Sequence, residues 1–299
     1  MTKIVYSFDY DGCLNPVRFA IDPDDFLQIN EDLQQLLINK NRNYDKAYVL
    51  IGSNRQSFGT EQYNADENIN GYAFENIPCF AKEIGAEFIP FWMTDIYNGL
   101  KMGTAFECAT NEYTNKTVGS HASYLFDELK ITLIYAQLQY IALANPNDEI
   151  HFEFYDDKAT ILNALSDFFK KNQQLIPSNI TLKLKQYFGV NDNYRITEKG
   201  DISGTGIPNS NYQELLRKLG FAILSRAEHE NILLDTNNNP TTAEKVILNN
   251  YNDYFTFPIT ADEYEYLSCP EKIEQTNIKH NDKVDLANQT EYLLHSVPL

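Results

Sequence analysis

Basic residues are scarce in this chain, and their scarcity limits its partners. The 299 residues include 24 Lys and Arg against 42 Asp and Glu, which gives a formal net charge of −18. A protein of that charge repels nucleic acid and anionic membranes. No apolar run approaches the ~18–20 residues that a membrane helix needs, and the first residues lack the basic-then-apolar pattern of a leader. The sequence therefore predicts no nucleic-acid partner and no membrane span.

Cysteine is also sparse. The four cysteines (Cys13, Cys79, Cys108 and Cys269) are far apart and form no CxxC pair. Neither a zinc cage nor a dense disulfide framework fits that spacing, so a reducing compartment is expected. Hydrophobic residues make up 43% of the chain and charged residues 22%, an ordinary globular mixture that excludes a wholly disordered protein. Nothing in this composition indicates an oligomeric state.

Short apolar runs alternate with longer amphipathic segments over roughly the first 190 residues. The apolar runs predict buried strands at 3–8, 46–51, 87–92, 150–155 and 179–188. Helical spacing of apolar residues predicts helices at 24–39, 127–144 and 159–171. Strands that alternate with helices imply right-handed crossovers and a mainly parallel sheet. The predicted fold class is α/β, with a Rossmann-like sheet sandwiched by helices.

The sequence changes character after residue 190. A hairpin is predicted at 195–202, around Gly200, and a helix at 211–224. The remainder is rich in Asn, Tyr and acidic residues. We therefore divide the chain into a catalytic domain, residues 1–190, and an accessory region, residues 191–299, that could pack against it.

Polar residues follow three of the predicted strands at their carboxyl ends, the edge where an open parallel sheet carries its active site. Strand by strand they are Asp9 and Asp11, then Ser53, then Asp156 and Asp157, with Lys130 in the first turn of the intervening helix. Any one Asp in such a place is usually a turn residue or a helix cap. Their occurrence together indicates a functional site. Four converging carboxylates repel each other, and an oxygen-only site that relieves this repulsion with a cation favours Mg²⁺.

Four motifs resemble those of the haloacid dehalogenase-like (HAD) hydrolases. They are FDYDGCL at 8–14, VLIGSN at 49–54, Lys130, and FYDD at 154–157. The resemblance covers roughly residues 1–190 and implies the HAD-like fold. Receiver domains of two-component signalling use similar residue types. Their acidic pair comes first, however, and their hydroxyl residue follows the phospho-acceptor strand, so the order found here argues against them.

This resemblance implies a Mg²⁺-dependent phosphatase that works through an aspartyl-phosphate. Asp9 would be the nucleophile. Asp11 would be the general acid and base. Its presence points to a phosphatase or phosphotransferase, because the dehalogenase and ion-pump members of the family lack a carboxylate at this second position. Ser53 would donate a hydrogen bond to a phosphoryl oxygen, and Lys130 would neutralise charge on the nucleophile and the phosphate.

The same resemblance implies a set of metal ligands. Mg²⁺ would bind Asp9, the backbone carbonyl of Asp11, and one carboxylate of the acidic pair. We favour Asp157 as that ligand, with Asp156 behind it, although the two assignments could be reversed.

Substrate selection is expected in the surplus sequence between Ser53 and Lys130, at 57–76 and 96–116. The stretch between Asp11 and Ser53 is largely taken up by one helix, which leaves little room for a large cap. A small or absent cap leaves the site open, which resembles HAD members that act on phosphoproteins or other macromolecules and not on enclosed metabolites.

Four further residues are candidates for contact with the substrate: Gly12, Asn54, Arg55 and Asp95. Arg55 could touch a phosphate or lie on the surface. Asp95 could orient a substrate group or serve as a turn carboxylate.

Three longer stretches are similar to HAD phosphatases that intracellular bacteria deliver into host cells, some of which act on phosphotyrosine. They are SNRQS at 53–57, FWMTDIYNGLKMG at 91–103 and SYLFDELK at 123–130. This similarity implies a phosphoprotein substrate and a protein that is either cytoplasmic or secreted into a host cell. Two alternatives stay open: a small-molecule phosphatase for nucleotides or sugar phosphates, and a non-catalytic HAD scaffold that docks through its acidic carboxyl-terminal region.

Overall fold

A six-stranded, mostly parallel sheet with helices on both faces forms the centre of the protein. The structure, a computed structural model, describes residues 1–16, 23–62, 71–115, 127, 129–189 and 196–217. The prediction of an α/β fold with a mainly parallel sheet is confirmed. Of the helices that the structure describes, none combines the length and the apolar character that crossing a bilayer requires.

The order of the strands places the two strands that are followed by acidic residues next to each other. In chain order the strands are β1 (Thr2–Phe8), β2 (Lys46–Ile51), β3 (Glu87–Phe88), β4 (Glu149–Asp156), β5 (Ile180–Tyr187) and β6 (Ile196–Ser203). In the sheet they lie in the order β3-β2-β1-β4-β5-β6. All neighbouring pairs are parallel except β5 and β6, which are antiparallel. The chain turns back across the sheet between β1 and β4, which makes this pair the switch point where open α/β sheets bind their ligands.

Helices cover both faces of the sheet. They are α1 (Pro23–Ile29), α2 (Glu31–Asn41), α3 (Phe58–Gln62), α4 (Ala73–Glu83), α5 (Met93–Tyr97), α6 (Thr104–Asn115), α7 (Ile131–Ala144) and α8 (Ala159–Lys171). Side chains of β1 alternate between two apolar cores, as the pleat requires. Ile4, Tyr6 and Phe8 pack with α1, α2 and α4, while Val5 packs with α7 and α8. Burial on both faces explains why β1 and β2 are almost continuously apolar.

Two predicted elements differ in length or continuity from those observed. Only Glu87–Phe88 pairs with β2, so the strand predicted at 87–92 is wrong in length. Pro90 has no backbone N–H to continue the pairing. The helix predicted at 24–39 is divided at Asn30, whose side-chain amide donates to the carbonyl oxygens of Leu14 (2.8 Å) and Phe26 (2.9 Å). These bonds fix a turn between α1 and α2.

The residues after 190 extend the same sheet. The hairpin predicted at 195–202 is instead the single strand β6, which runs through Gly200 and pairs with β5. Ile202 of this strand, with Tyr212 and Leu216 from the following helical turn, joins the core beneath α7 and α8. The first part of the predicted accessory region therefore shares a core with residues 1–189. Residues 218–299, which include most of the predicted accessory region, lie outside the described residues.

Helix α7 offers a matched test of this core. Leu138 is fully buried, whereas Leu143 on the same helix is 38% exposed. Leu138→Ala should lower the free energy of unfolding by about 3–5 kcal/mol, because it leaves a cavity in a close-packed interior. Leu143→Ala removes the same atoms and should cost about 1 kcal/mol or less. Urea denaturation followed by circular dichroism measures both values, and equal losses would contradict the described orientation of α7.

Candidate active site

Three adjacent strands end at the same level and bring their polar residues to one edge of the sheet. Phe8, the last residue of β1, pairs with Ile51 on β2 and with Tyr155 on β4. The backbone N–H of Asp9 donates to the carbonyl of Tyr155 (2.9 Å), and that of Gly52 donates to the carbonyl of Phe8 (2.7 Å). Asp9 is therefore level with Gly52 on one side and with Asp156 on the other, and Ser53 follows Gly52 directly.

Lys130 connects the ends of β1 and β4. Its ammonium lies 2.8 Å from Asp9 Oδ1 and 2.7 Å from Asp156 Oδ2, and the side chain is almost fully buried. Its backbone has φ 59°, in the left-handed region, and among the described residues other than glycine it is alone in this. Such a conformation costs on the order of 1–3 kcal/mol and persists only where the surroundings hold it.

Asp127 holds the backbone around Lys130. Its Oδ2 accepts hydrogen bonds from the N–H (2.7 Å) and the hydroxyl (2.9 Å) of Thr132, and its carbonyl accepts from the N–H of Lys130 (2.9 Å). The side-chain amide of Asn54 donates to the same carbonyl at 3.0 Å. The predicted helix at 127–144 therefore begins later than expected, at Ile131, and Asp127 stabilises the turn that precedes it. Asn54, predicted to contact substrate, instead connects the Ser53 turn to the Lys130 turn.

Three carboxylates form what we call the acidic cluster: Asp9, Asp156 and Asp157, each of which offers one oxygen within 4.8 Å of the others. The two members of the acidic pair have different environments. Asp156 is fully buried, and its two oxygens accept from Lys130 Nζ and from the backbone N–H of Lys158 (2.8 Å). Asp157 has a buried oxygen, Oδ1, that lacks a hydrogen-bond partner among the residues that the structure describes.

Gly12 allows the first loop to approach Asp157. Its φ is +81°, and a Cβ placed on it would lie only 2.6 Å from Asp157 Oδ2. Any side chain at this position would therefore be strained and would collide with the carboxylate. Gly12, a predicted substrate contact, thus lets the backbone of the first loop pack against Asp157.

Burial and mutual repulsion shape the ionisation of the acidic cluster. Burial raises the pKa of Asp9 to about 6; the ammonium of Lys130 opposes the rise and the carboxylate of Asp156 adds to it. Burial also raises the pKa of Asp157, and the charge of Asp9 acts in the same direction. Burial alone would lower the pKa of Lys130, but Asp9 and Asp156 outweigh it and raise that pKa. When all four groups are ionised, three carboxylates share one ammonium, which leaves an excess of two negative charges.

The donors of the acidic cluster fit a hard divalent cation. They are oxygens only, as Mg²⁺ prefers. A buried carboxylate oxygen without a partner is costly, and a cation would satisfy Asp157 Oδ1. The charge of a divalent ion also equals the excess in the cluster. Asp9 and Asp157 are the residues of the cluster that would hold the ion, while Asp156 has its two oxygens occupied by Lys130 Nζ and the N–H of Lys158.

Asp11 belongs to a second group of charges beside the first, which we call the arginine cluster: Asp11, Arg55 and Glu61. The guanidinium of Arg55 donates from Nε to Asp11 Oδ2 (2.8 Å) and from Nη2 to Asp11 Oδ1 (2.5 Å). Its Nη1 donates to Glu61 Oε2 at 3.2 Å. The side chain of Arg55 is only 1% exposed. Arg55, predicted to contact a phosphate or to lie on the surface, is therefore buried and contacts a predicted catalytic residue instead.

Two roles are open to Asp95 from the sequence, orienting a substrate group and serving as a turn carboxylate, and its contacts fit the second. It is fully buried, and its two oxygens accept from the backbone N–H groups of Gly103 (2.7 Å) and Ala105 (2.8 Å). These groups lie at the start of α6, whose first amides lack partners within the helix. Asp95 thus fixes the α5–α6 connection, which agrees with the alternative of a turn carboxylate.

No feature of the sequence points to Glu61, and only one points to Asp127. Glu61 lies in surplus sequence, and its contact with Arg55 depends on where α3 packs. Asp127 stands three residues before Lys130, at the first position of the helix predicted at 127–144. A capping residue so close to a predicted catalytic lysine is the one signal that could have found it.

Comparisons of the chain with known protein families, with curated proteins and with solved structures find no match. The function proposed below therefore depends on the motifs and on the geometry of the site.

Asp157→Asn tests whether the acidic cluster binds a cation. Mg²⁺ at 100-fold excess over its dissociation constant should raise the free energy of unfolding of the wild-type protein by about 2.7 kcal/mol. Asp157→Asn should remove most of that gain and should stabilise the metal-free protein, because one repelling charge is lost. Thermal unfolding with and without Mg²⁺ measures both effects.

Asp167→Asn, on the exposed face of α8, is the matched control and should leave the Mg²⁺ response unchanged. A full Mg²⁺ response in Asp157→Asn would remove Asp157 from the set of ligands.

Proposed function

We propose that this protein is a Mg²⁺-dependent phosphatase of the HAD type that acts through an aspartyl-phosphate, with phosphoproteins as its substrates. The observation that carries the proposal is the placement of the Lys130 ammonium between Asp9 and Asp156, with the unpartnered oxygen of Asp157 in the same cluster. The position of these groups at the switch point of a parallel sheet supports it, as do the four motifs.

In the first step Asp9 acts as the nucleophile. Lys130 holds one carboxylate oxygen of Asp9, and the other oxygen attacks phosphorus. A bond forms between Asp9 and phosphorus as the bond to the leaving oxygen breaks, and Asp11 donates a proton to that oxygen. Lys130 offsets negative charge on the nucleophile and on the phosphoryl group.

In the second step water hydrolyses the aspartyl-phosphate. Asp11 takes a proton from the attacking water, the bond between Asp9 and phosphorus breaks, and inorganic phosphate leaves. Ser53 donates a hydrogen bond to a phosphoryl oxygen in both steps. Bound Mg²⁺ supplies positive charge that stabilises the phosphoryl group during transfer.

The choice of a macromolecular substrate is supported by where α1 and α2 pack. Between β1 and β2 these are the helices that the structure describes, and their residues Phe26, Leu33 and Leu37 are fully buried in the core. Neither helix therefore forms a cap over the carboxyl edge of the sheet. The side chain of Asp11 is 38% exposed there. The similarity to phosphatases that are delivered into host cells adds phosphotyrosine as the expected target.

Hydrolysis of p-nitrophenyl phosphate tests the reaction class. Asp9→Asn should lower kcat by roughly 10³-fold or more, since no other carboxylate replaces the nucleophile. Removing divalent ions with EDTA should abolish turnover, and added Mg²⁺ should restore it. Asp167→Asn is the control and should match the wild type. Wild-type protein that releases no phosphate in the presence of Mg²⁺ would refute the proposal and favour a non-catalytic scaffold.

Substrate class is tested by comparing kcat/KM across phosphoesters under one set of conditions. Phosphotyrosine peptides should exceed nucleotides and sugar phosphates by about 10-fold or more, as a site over which neither α1 nor α2 forms a cap makes few contacts with a small leaving group. The reverse ranking would leave the reaction intact and identify a small-molecule phosphatase.

A further inference from the structure

We propose that Arg55, fixed in place by Glu61, is a positioning residue that sets the direction of the Asp11 carboxyl group for proton transfer. This inference rests on the proposed function, in which Asp11 protonates the leaving oxygen. It extends that function to two residues outside the four motifs of the site, one of which, Glu61, lies on α3.

The contact between Arg55 and Asp11 defines an orientation. Nε and Nη2 of the guanidinium donate to different oxygens of the carboxyl group, at 2.8 Å and 2.5 Å. Two parallel hydrogen bonds of this kind fix the carboxyl plane as well as its distance. A carboxylate has about four lone-pair sites, of which these two bonds use two, and the side chain of Asp11 is 38% exposed. The bonds to Arg55 therefore do not themselves prevent proton exchange with a leaving oxygen or a water.

Arg55 is itself held from the opposite side. Its Nη1 donates to Glu61 Oε2 (3.2 Å) and to the carbonyl of Gly71 (2.8 Å), and Glu61 Oε2 also accepts from the N–H of Ala73 (3.1 Å). The ring of Tyr10 lies 4.7 Å from the guanidinium carbon. All three guanidinium nitrogens therefore have acceptors within the protein.

These contacts decide between two roles for Arg55. An arginine that binds substrate phosphate needs free N–H groups and access to solvent, whereas Arg55 is 1% exposed and its nitrogens are engaged. Asp11 is the exposed partner, at 38%. Arg55 therefore acts through Asp11, and a misplaced acid slows proton transfer strongly because the reacting atoms must be close and aligned.

The dependence of rate on the leaving group tests this role. Phenyl phosphate needs a proton on its leaving oxygen, whereas dinitrophenyl phosphate has a leaving group that departs without one. Arg55→Lys keeps the charge but replaces the rigid, planar fork of the guanidinium with a flexible ammonium, which can approach the carboxyl group of Asp11 without fixing its plane. It should lower kcat/KM for phenyl phosphate by about 10²-fold and for dinitrophenyl phosphate by no more than about 3-fold.

Three further variants make the result decisive. Arg42→Lys, at an exposed site after α2, should change neither rate. Adding Arg55→Lys to Asp11→Asn should have less than about a 2-fold effect on phenyl phosphate, since the group to be positioned is already lost. If thermal unfolding shows that Arg55→Lys does not fold, Glu61→Gln replaces it. This variant should also lower kcat/KM more for phenyl phosphate than for dinitrophenyl phosphate, by a smaller factor.

Equal losses on the two substrates would overturn the positioning role while leaving the proposed phosphatase intact. Full additivity with Asp11→Asn would overturn it as well. A wild-type protein that hydrolyses neither ester would overturn the proposed function, and this inference with it.

Discussion

The ammonium of Lys130 is buried between the carboxylates of Asp9 and Asp156, and the geometry of the site depends on how it is held there. Removing an ammonium from water costs several kcal/mol, and only close, well-oriented carboxylates offset that cost. The ends of β1 and β4 must therefore be adjacent, and the chain before α7 must bring Lys130 to them. Two features bring Lys130 to this position. Its backbone is left-handed, and residues 129–132 make four hydrogen bonds to Asp127.

Two basic residues, Lys130 and Arg55, form separate sets of ion pairs at this edge of the sheet. Lys130 serves the acidic cluster, and Arg55 serves Asp11 and Glu61. The consequences differ. The single ammonium of Lys130 faces a cluster of three carboxylates, which leaves an excess of negative charge that a divalent ion can match. The planar guanidinium of Arg55 instead fixes the orientation of the Asp11 carboxyl group. The acidic cluster is thus suited to binding charge, and the arginine cluster to orienting a carboxyl group.

The parts of the fold that the sequence predicted best are those set by local pattern. The strand at 46–51 and the helix at 159–171 were predicted with their observed bounds, because an apolar run and a helical period specify each one locally. The break at Asn30 depends on contacts with Leu14 and Tyr187, which no local pattern reveals. The residues of the site likewise divide into those that the sequence pattern predicts and those that depend on distant packing. Topology alone brings strand ends together, so Asp9, Ser53 and Asp157 could be predicted, but the burial of Arg55 depends on the packing of α3.

The loop after β1 is held by close packing and by hydrogen bonds on several sides. Gly12 packs so closely on Asp157 that no Cβ fits, its N–H donates to the carbonyl of Asn15, and the N–H of Gly189 donates to the carbonyl of Cys13. Asp11 lies within this loop and is held from its other side by Arg55. In the proposed phosphatase, groups fixed in this way would need little rearrangement when charge shifts during the reaction, and preorganisation of that kind is a large source of rate enhancement in enzymes. The repulsion that such fixed carboxylates impose on each other is balanced by the packing of the fold, and a bound cation would relieve it further.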